Sequence, residues 1–244
     1  MIRTVWVLST SLILTAVCGT AVVVRSFLPG GGLPCVCERL TKFWSRAVLS
    51  LAGVRVRVTG SDRVDWSQPV VVVANHQSWF DVFALAAWMP GNGRFVAKQE
   101  LAAIPIFGRA WKACGHISLD RSDRTRAIAS LRSVAQRVRE EKLAVILFPE
   151  GTRSPDGRMQ PFKKGAFVLA LDTGVPVVPI GISGSREVMP KGSFRIRSGE
   201  IELRIGDPLS VEGLDAEARD ALLRASEAAV GALLAHGVSG QSRE

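Results

Sequence analysis

The chain has 244 residues, 47% of them hydrophobic, enough for one full α/β domain with an appendage. Its net charge of +9 points to an anionic partner: nucleic acid, a membrane surface or a phosphorylated substrate. The four cysteines (Cys18, Cys35, Cys37, Cys114) show no disulfide framework or metal spacing, and three histidines (His76, His116, His236) are too few for a histidine-rich metal centre, so reduced thiols and no metal are expected.

Thr4 to Val24 is an uncharged run between Arg3 and Arg25, long enough to cross a bilayer. Its length and the lack of a small-x-small cleavage site argue against a cleaved signal peptide. Pro29-Gly30-Gly31-Gly32-Leu33-Pro34 breaks the run. Val36, Leu40, Phe43, Trp44, Ala47, Val48 and Leu51 then recur at helical spacing, with Glu38, Arg39, Lys42 and Arg46 at other positions. The pattern predicts an amphipathic helix with the basic and aromatic character of a membrane interface; an ordinary core-facing helix is the alternative. Basic residues flank the first run on both sides, so a single span and a one-leaflet hairpin fit equally well. Residues 1–51 are expected to form a membrane-associated helical segment and 52–244 a soluble domain.

Val54, Val56 and Val58 alternate with polar residues and predict a half-buried strand. Val70 to Ala74 is unbroken and apolar, a buried strand. It stops at Asn75-His76-Gln77-Ser78-Trp79-Phe80-Asp81. Ser78 is a candidate N-cap for a helix from Trp79 to Trp88. His76 and Asp81 can meet only if the imidazole lies in the loop and the carboxylate in the first helical turn, where the helix dipole favours its ionised form. A neutral imidazole held by an aspartate is a general base. A loop histidine beside a capping aspartate is the plain alternative. Short strands follow at Arg94 to Ala97 and Cys114 to Leu119, with short helices between them broken at Pro105. Ser122 or Asp123 is expected to cap an amphipathic helix running to about Glu141, with Ile128, Leu131, Val134, Ala135 and Val138 buried. Leu143 to Phe148 and Val175 to Ile182 are buried strands around a helix at Gly165 to Thr173. Phe194 to Arg197 and Ile201 to Ile205 are expected to form a hairpin. Ala216 to Ala235 closes the chain as an amphipathic helix, with a disordered tail. Alternating strands and helices predict an α/β fold with a mixed, largely parallel sheet flanked by helices.

Three further polar clusters end strands. Gly115-His116-Ile117-Ser118-Leu119-Asp120-Arg121 carries an arginine just past one strand, and Phe148-Pro149-Glu150-Gly151-Thr152-Arg153-Ser154 follows the next. Pro176-Val177-Val178-Pro179-Ile180 is the third. Arg121 and Arg153 are suited to a phosphate because guanidinium offers fixed, bidentate donors. Gly151 permits close approach of backbone to a ligand, Thr152 adds a hydroxyl, and Glu150 can orient an arginine or accept a substrate proton. Solvated surface turns are the bland alternative for each cluster taken singly.

Together these blocks resemble the glycerolipid acyltransferases, and most of all the bacterial 1-acyl-sn-glycerol-3-phosphate acyltransferase type. Residues 75–81 match its NHxxxxD block; Gly115, Ile117 and Arg121 match the second; residues 148–154 match the third nearly letter for letter. Pro176 to Ile180 match the fourth, and Phe162-Lys163-Lys164-Gly165 resembles the usual sequel to the third. The amphipathic N-terminus is similar to the two-helix membrane motif of bacterial members. The resemblance implies that His76 deprotonates the free hydroxyl of a lysophospholipid while Asp81 holds the imidazole, with no acyl-enzyme. It implies that Arg121, Glu150, Gly151, Thr152 and Arg153 surround the glycerol phosphate, with Lys98 as a nearby basic residue and Pro179 structural. The implied acceptor is lysophosphatidic acid, the product phosphatidic acid, and the donor acyl-CoA or acyl carrier protein, with no further cofactor. Another lysolipid, such as a lyso-ornithine lipid, is the alternative acceptor. Membrane phospholipids are the implied surroundings, at the cytoplasmic face of the inner membrane. A nucleic-acid-binding module has only the net charge in its favour.

Overall fold

Val70–Ala74 forms strand β2, and all five residues are buried. Val70, Val72 and Ala74 belong to the core on one face of the sheet; Val71 and Val73 belong to the core on the other. A strand covered on both faces needs no polar side, which is why the run is continuous rather than alternating. The structure is a computed structural model. It describes residues 2–30, 32–89, 92–120, 130–131 and 133–238, with side chains described to residue 235.

The other strands are β1 (Val54–Thr59), β3 (Asn92–Lys98), β4 (Ile117–Leu119), β5 (Leu143–Leu147), β6 (Val177–Ser183) and β7 (Gly199–Ile205). Their order is β1-β7-β6-β2-β5-β3-β4. β2 runs parallel to both β5 and β6, and β3 parallel to β5 and β4. β7 turns back antiparallel to β6 and takes β1 alongside in parallel. The sheet is therefore mixed and largely parallel, as predicted, and the carboxyl ends of β2, β5, β6 and β3 share one edge. That edge is where loops can gather residues from distant parts of the chain.

Helices cover both faces. α1 (Ile2–Phe27), α2 (Leu33–Leu51) and α3 (Trp79–Trp88) lie on one side, where Val7, Leu49, Phe80, Ala84 and Leu85 join one core. α4 (Phe107–Ala113) follows the 3-10 turn Gln99–Ala103, with Pro105 between them as expected. α5 (Ala135–Glu140), α6 (Gly165–Thr173) and α8 (Arg219–Val238) build the other core through Val138, Phe167, Leu169, Leu222 and Val230; α7 (Ser185–Val188) is a single turn after β6. The start of the helix predicted from Ser122 or Asp123 and the predicted disordered tail lie outside the described residues.

α1 is long and apolar enough to cross a membrane, with a mean hydropathy of 2.2. It also packs on the domain: Val7 is buried, Thr15 Oγ accepts from Trp44 Nε1 of α2 at 2.9 Å, and Thr4 Oγ accepts from Ile196 N at 3.2 Å. α2 buries Cys37, Val48 and Leu49 while Phe43 stays 57% exposed, so it serves the core along one stripe only. Between α1, α2, α3, α4 and β3 lies an apolar cavity of about 100 Å³, partly open to solvent and lined by Cys18, Gly19, Trp44, Phe95 and Trp111.

Two expectations are corrected. Residues 193–198 form no strand, and the predicted hairpin is absent. Both edges of β7 are already taken, by β6 and by β1, so its hydrogen-bonding sites are filled by partners distant in sequence. Cys37 and Cys114 form a disulfide across a sequence separation of 77, tying the first turns of α2 to the end of α4; Cys18 and Cys35 are free. The tertiary fold brings this pair together, and cysteine spacing carries no trace of it.

Candidate active site

The site begins where β2 ends. Ser78 caps α3: its Oγ accepts from Phe80 N at 3.1 Å and donates to Met189 O at 2.7 Å. Asp81, three residues on, completes the capping box by accepting from Ser78 N at 2.8 Å. The same oxygen, Oδ2, accepts from Gln77 N at 2.7 Å and lies 2.8 Å from His76 Nδ1. One carboxylate oxygen thus caps the helix and holds the imidazole. Asp81 is fully buried, and among the described residues its Oδ1 has no hydrogen-bond partner, so burial of the carboxylate is compensated there at one oxygen only.

An ionised carboxylate only accepts, so His76 Nδ1 carries the proton and Nε2 the lone pair. Nε2 makes no hydrogen bond among the described residues, and the side chain keeps 14% of its surface exposed. The ring stacks on Phe148 with centroids 4.0 Å apart and planes 15° apart. Tautomer and plane are both fixed before any ligand arrives.

The turn after β5 closes against this loop. Glu150 is buried; its two oxygens accept from His76 N at 2.7 Å and Gln160 N at 3.0 Å. The described partners of Glu150 are therefore backbone amides rather than the arginine envisaged from the sequence. Burial pushes its carboxyl up to about 7; the two amides pull it down and the Asp81 charge adds to the rise. Ser154 N donates to His76 O at 2.7 Å, and Gln77 Nε2 to Gly157 O at 2.8 Å, so the two strand-end loops are stitched together. Asn75, buried, pairs through its side chain with both Ile182 O (2.8 Å) and Ile182 N (2.7 Å), extending the β2–β6 ladder past the end of β2.

The cations surround Gly151 and Thr152. Gly151 has φ 76, a conformation that favours glycine, and the Lys163 side chain lies close enough that a Cβ there would displace its ammonium. The Arg153 guanidinium lies over the Trp79 ring, 4.9 Å from its centroid, and burial lowers its pKa against the opposing pull of Asp81. Lys191 Nζ donates to Thr152 Oγ at 3.2 Å. Lys98, at the carboxyl end of β3, shares this sheet edge two strands from β2; it is exposed and 3.8 Å from Glu100. Arg121 lies outside the described residues. The structure thus brings His76, Asp81, Glu150, Gly151, Thr152 and Arg153 together. It adds Asn75, Phe148, Lys163 and Lys191. The first three of these lie inside the quoted blocks, whereas Lys191 carries no sequence signal because only the return of the chain after β6 brings it near.

A family model described as Acyltransferase matches residues 55–183, just over half of the chain. The chain belongs to the acyltransferase family. Within it, the chain is 40% identical over 164 residues to the 1-acyl-sn-glycerol-3-phosphate acyltransferase alpha of Homo sapiens, covering 67% of this chain and 58% of that protein. It is 34% identical over 165 residues to the 1-acyl-sn-glycerol-3-phosphate acyltransferase of Limnanthes alba, covering 68% and 58%. The alignments thus span less than two thirds of these curated relatives. The crystal structure of the 1-acyl-sn-glycerophosphate (LPA) acyltransferase PlsC from Thermotoga maritima superposes with a TM-score of 0.82 at 27% identity, covering 100% of this chain and 96% of that one. The family's α/β fold and the mixed sheet described above therefore agree along the whole chain.

Proposed function

We propose that this protein transfers a fatty acyl group from acyl-CoA or acyl carrier protein to the sn-2 hydroxyl of 1-acyl-glycerol-3-phosphate, giving phosphatidic acid. The observation that carries the reading is the 2.8 Å contact between His76 Nδ1 and buried Asp81, which leaves Nε2 as a free base beside a cationic turn. His76 Nε2 takes the proton of the acceptor hydroxyl as its oxygen attacks the thioester carbonyl; the thiolate leaves and recovers the proton from the imidazolium. Asp81 stabilises that imidazolium. Such general-base assistance is worth about 10²–10⁴-fold. Arg153, Thr152 and Gly151, with Arg121, hold the glycerol phosphate, and Lys98 lends positive charge to the rim. The reaction needs no metal and no cofactor beyond the acyl donor.

The apolar cavity beside α3 offers an acyl chain a place out of water. Residues 1–51 serve as the membrane element and 52–244 as the acyltransferase domain, with Ile2, Val5, Trp6, Leu12 and Phe27 of α1 all more than half exposed and available to lipid. The site then faces membrane phospholipids from the cytoplasmic side of the inner membrane. Nucleic acid has no part in this reading. The test is acyl transfer by purified full-length protein, read by product mass, with lysophosphatidic acid, lyso-ornithine lipid and other lysophospholipids as acceptors and both donors. Phosphatidic acid formation lost in His76→Ala with unchanged folding supports the reading; transfer by His76→Ala at the unaltered rate overturns it.

A further inference from the structure

Lys191 belongs to none of the four blocks. It lies in the turn after α7, on a segment anchored to the site by the hydrogen bond from Ser78 Oγ to Met189 O, 2.7 Å long. From there its ammonium reaches Thr152 Oγ at 3.2 Å. Lysine has three donors and no acceptor. The bond therefore obliges Thr152 Oγ to accept, and the threonine hydroxyl hydrogen is left to point to something else. No other hydrogen bond of Thr152 exists among the described residues.

The neighbours have the same polarity. The Arg153 guanidinium makes no ion pair or hydrogen bond among the described residues; its contact is the face of Trp79. Neither Lys191 nor Arg153 has a carboxylate within 4 Å among the described residues. The nearby acids are engaged elsewhere: Glu150 with two backbone amides, Asp81 with His76 and its helix cap, and Asp156 with Ser154 Oγ at 3.0 Å and Arg158 N at 3.0 Å. Around Thr152 the protein thus presents donors only: the threonine O–H, two remaining ammonium hydrogens and the guanidinium. Thr152 and Lys191 are exposed, so water meets these donors in the free protein; a single ligand that meets all of them at once is an acceptor with several oxygens and negative charge.

We propose that Lys191 is a specificity-determining residue that, with Thr152, binds the phosphate monoester of the lysolipid acceptor and selects it over phosphate-free acceptors. The proposal rests on the acyl-acceptor reading of this site and names a cation that the sequence blocks do not contain. The phosphates of coenzyme A offer the same chemistry, and the experiment separates the two sources. Full-length protein in neutral detergent micelles is titrated calorimetrically with lysophosphatidic acid, with 1-monoacylglycerol of the same chain, and with coenzyme A. The variants are Lys191→Met, Lys191→Arg, Thr152→Val and the Lys191→Met/Thr152→Val pair, each checked for an unchanged melting temperature. Lys191→Met should weaken lysophosphatidic acid by on the order of tenfold, the loss of one charge-assisted hydrogen bond, while monoacylglycerol and coenzyme A are unaffected. Lys191→Arg should recover most of the affinity. A further loss when Lys191→Met is added to Thr152→Val marks direct contact with the ligand. Lys191→Met without effect, an equal loss for monoacylglycerol, a loss confined to coenzyme A, or no further loss in the Thr152→Val background overturns the proposal. Wild-type protein that binds lysophosphatidic acid no better than monoacylglycerol overturns the acceptor reading itself, and the role of Lys191 with it; a wild type that prefers lysophosphatidic acid through a Lys191-independent contact overturns Lys191 alone.

Discussion

Two regions of the molecule are built by opposite means. At the strand ends, positions are set by hydrogen bonds: His76, Asp81, Ser78, Glu150 and Ser154 each have named partners at 2.7 to 3.1 Å. Between α1, α2 and α4, positions are set chiefly by apolar contact and one disulfide around a cavity, with the single Trp44–Thr15 hydrogen bond joining α1 to α2 among those described above. The first region tolerates little displacement, because a shifted polar group loses its partner and leaves another buried alone. The second can adjust its shape, because dispersion contacts have no direction. Chemistry needs the first kind of region. A flexible apolar chain, or a lipid surface, needs the second.

The sharpest way to break this contrast is at the base. His76→Ala should lower kcat by on the order of 10³-fold or more, and Asp81→Asn by a comparable amount, since the amide reverses the donor pattern that fixes the tautomer. Asp81→Asn should also lower the melting temperature by loosening the α3 cap, whereas His76→Ala should not. Steady-state kinetics and thermal melts of both variants check this. The helix region should show the converse. Cys37→Ser should destabilise by on the order of 3 kcal/mol, read by denaturant unfolding with and without reductant, while folded protein keeps its turnover within a few-fold. A Cys37→Ser protein that folds equally well but is inactive would unite the two regions and end the comparison.

Stability also depends on pH, with opposite signs in the two regions. Glu150, held up to about 7 by burial, is protonated more readily folded than unfolded. Its contribution to stability is complete below the ordinary carboxylate range and is lost as pH rises toward 7, on the order of 3 kcal/mol in all. His116 lines the apolar cavity, accepts from Phe95 N at 3.1 Å, and is pushed down to about 3, chiefly by burial and then by the Arg94 charge. Its neutral form contributes stability above about 6.5, which is lost as pH falls toward 3. Melting curves from pH 4 to 8 should lose the first slope in Glu150→Gln and the second in His116→Asn. The smallest effect is expected at Lys98: Lys98→Ala should change kcat/KM by about twofold, because an exposed cation acts through screened charge.

The same contrast explains what could be read without a structure. Val70–Ala74 and the Trp79–Trp88 helix have the bounds that apolar runs and an N-cap serine indicate, because these are local properties. The meeting of His76 and Asp81 was legible too, since five residues and one cap determine it. What could not be read depends on return paths of the chain. Cys37 finds Cys114, Lys191 finds Thr152, and Glu150 turns to His76 N across a separation of 74 residues, and none of these pairings leaves a period or a spacing behind. The predicted hairpin at Phe194 to Ile205 failed for the same reason: a turn signal was visible, but the prior claims of β1 and β6 on β7 were not.

The hydrogen bond from Ser154 N to His76 O, with those of Asn75 to Ile182, gives the loop after β2 a further property. Asn75 is held from β6 and His76 from the turn after β5, by bonds that exist only when β2, β5 and β6 lie in one relative register. A slip of a single residue between any two would turn the donors to the wrong side of the sheet. The imidazole therefore works as a gauge of assembly. On the proposed mechanism, a chain that has collapsed but not aligned its strands has no aimed base, and transfer would switch on only when alignment is complete.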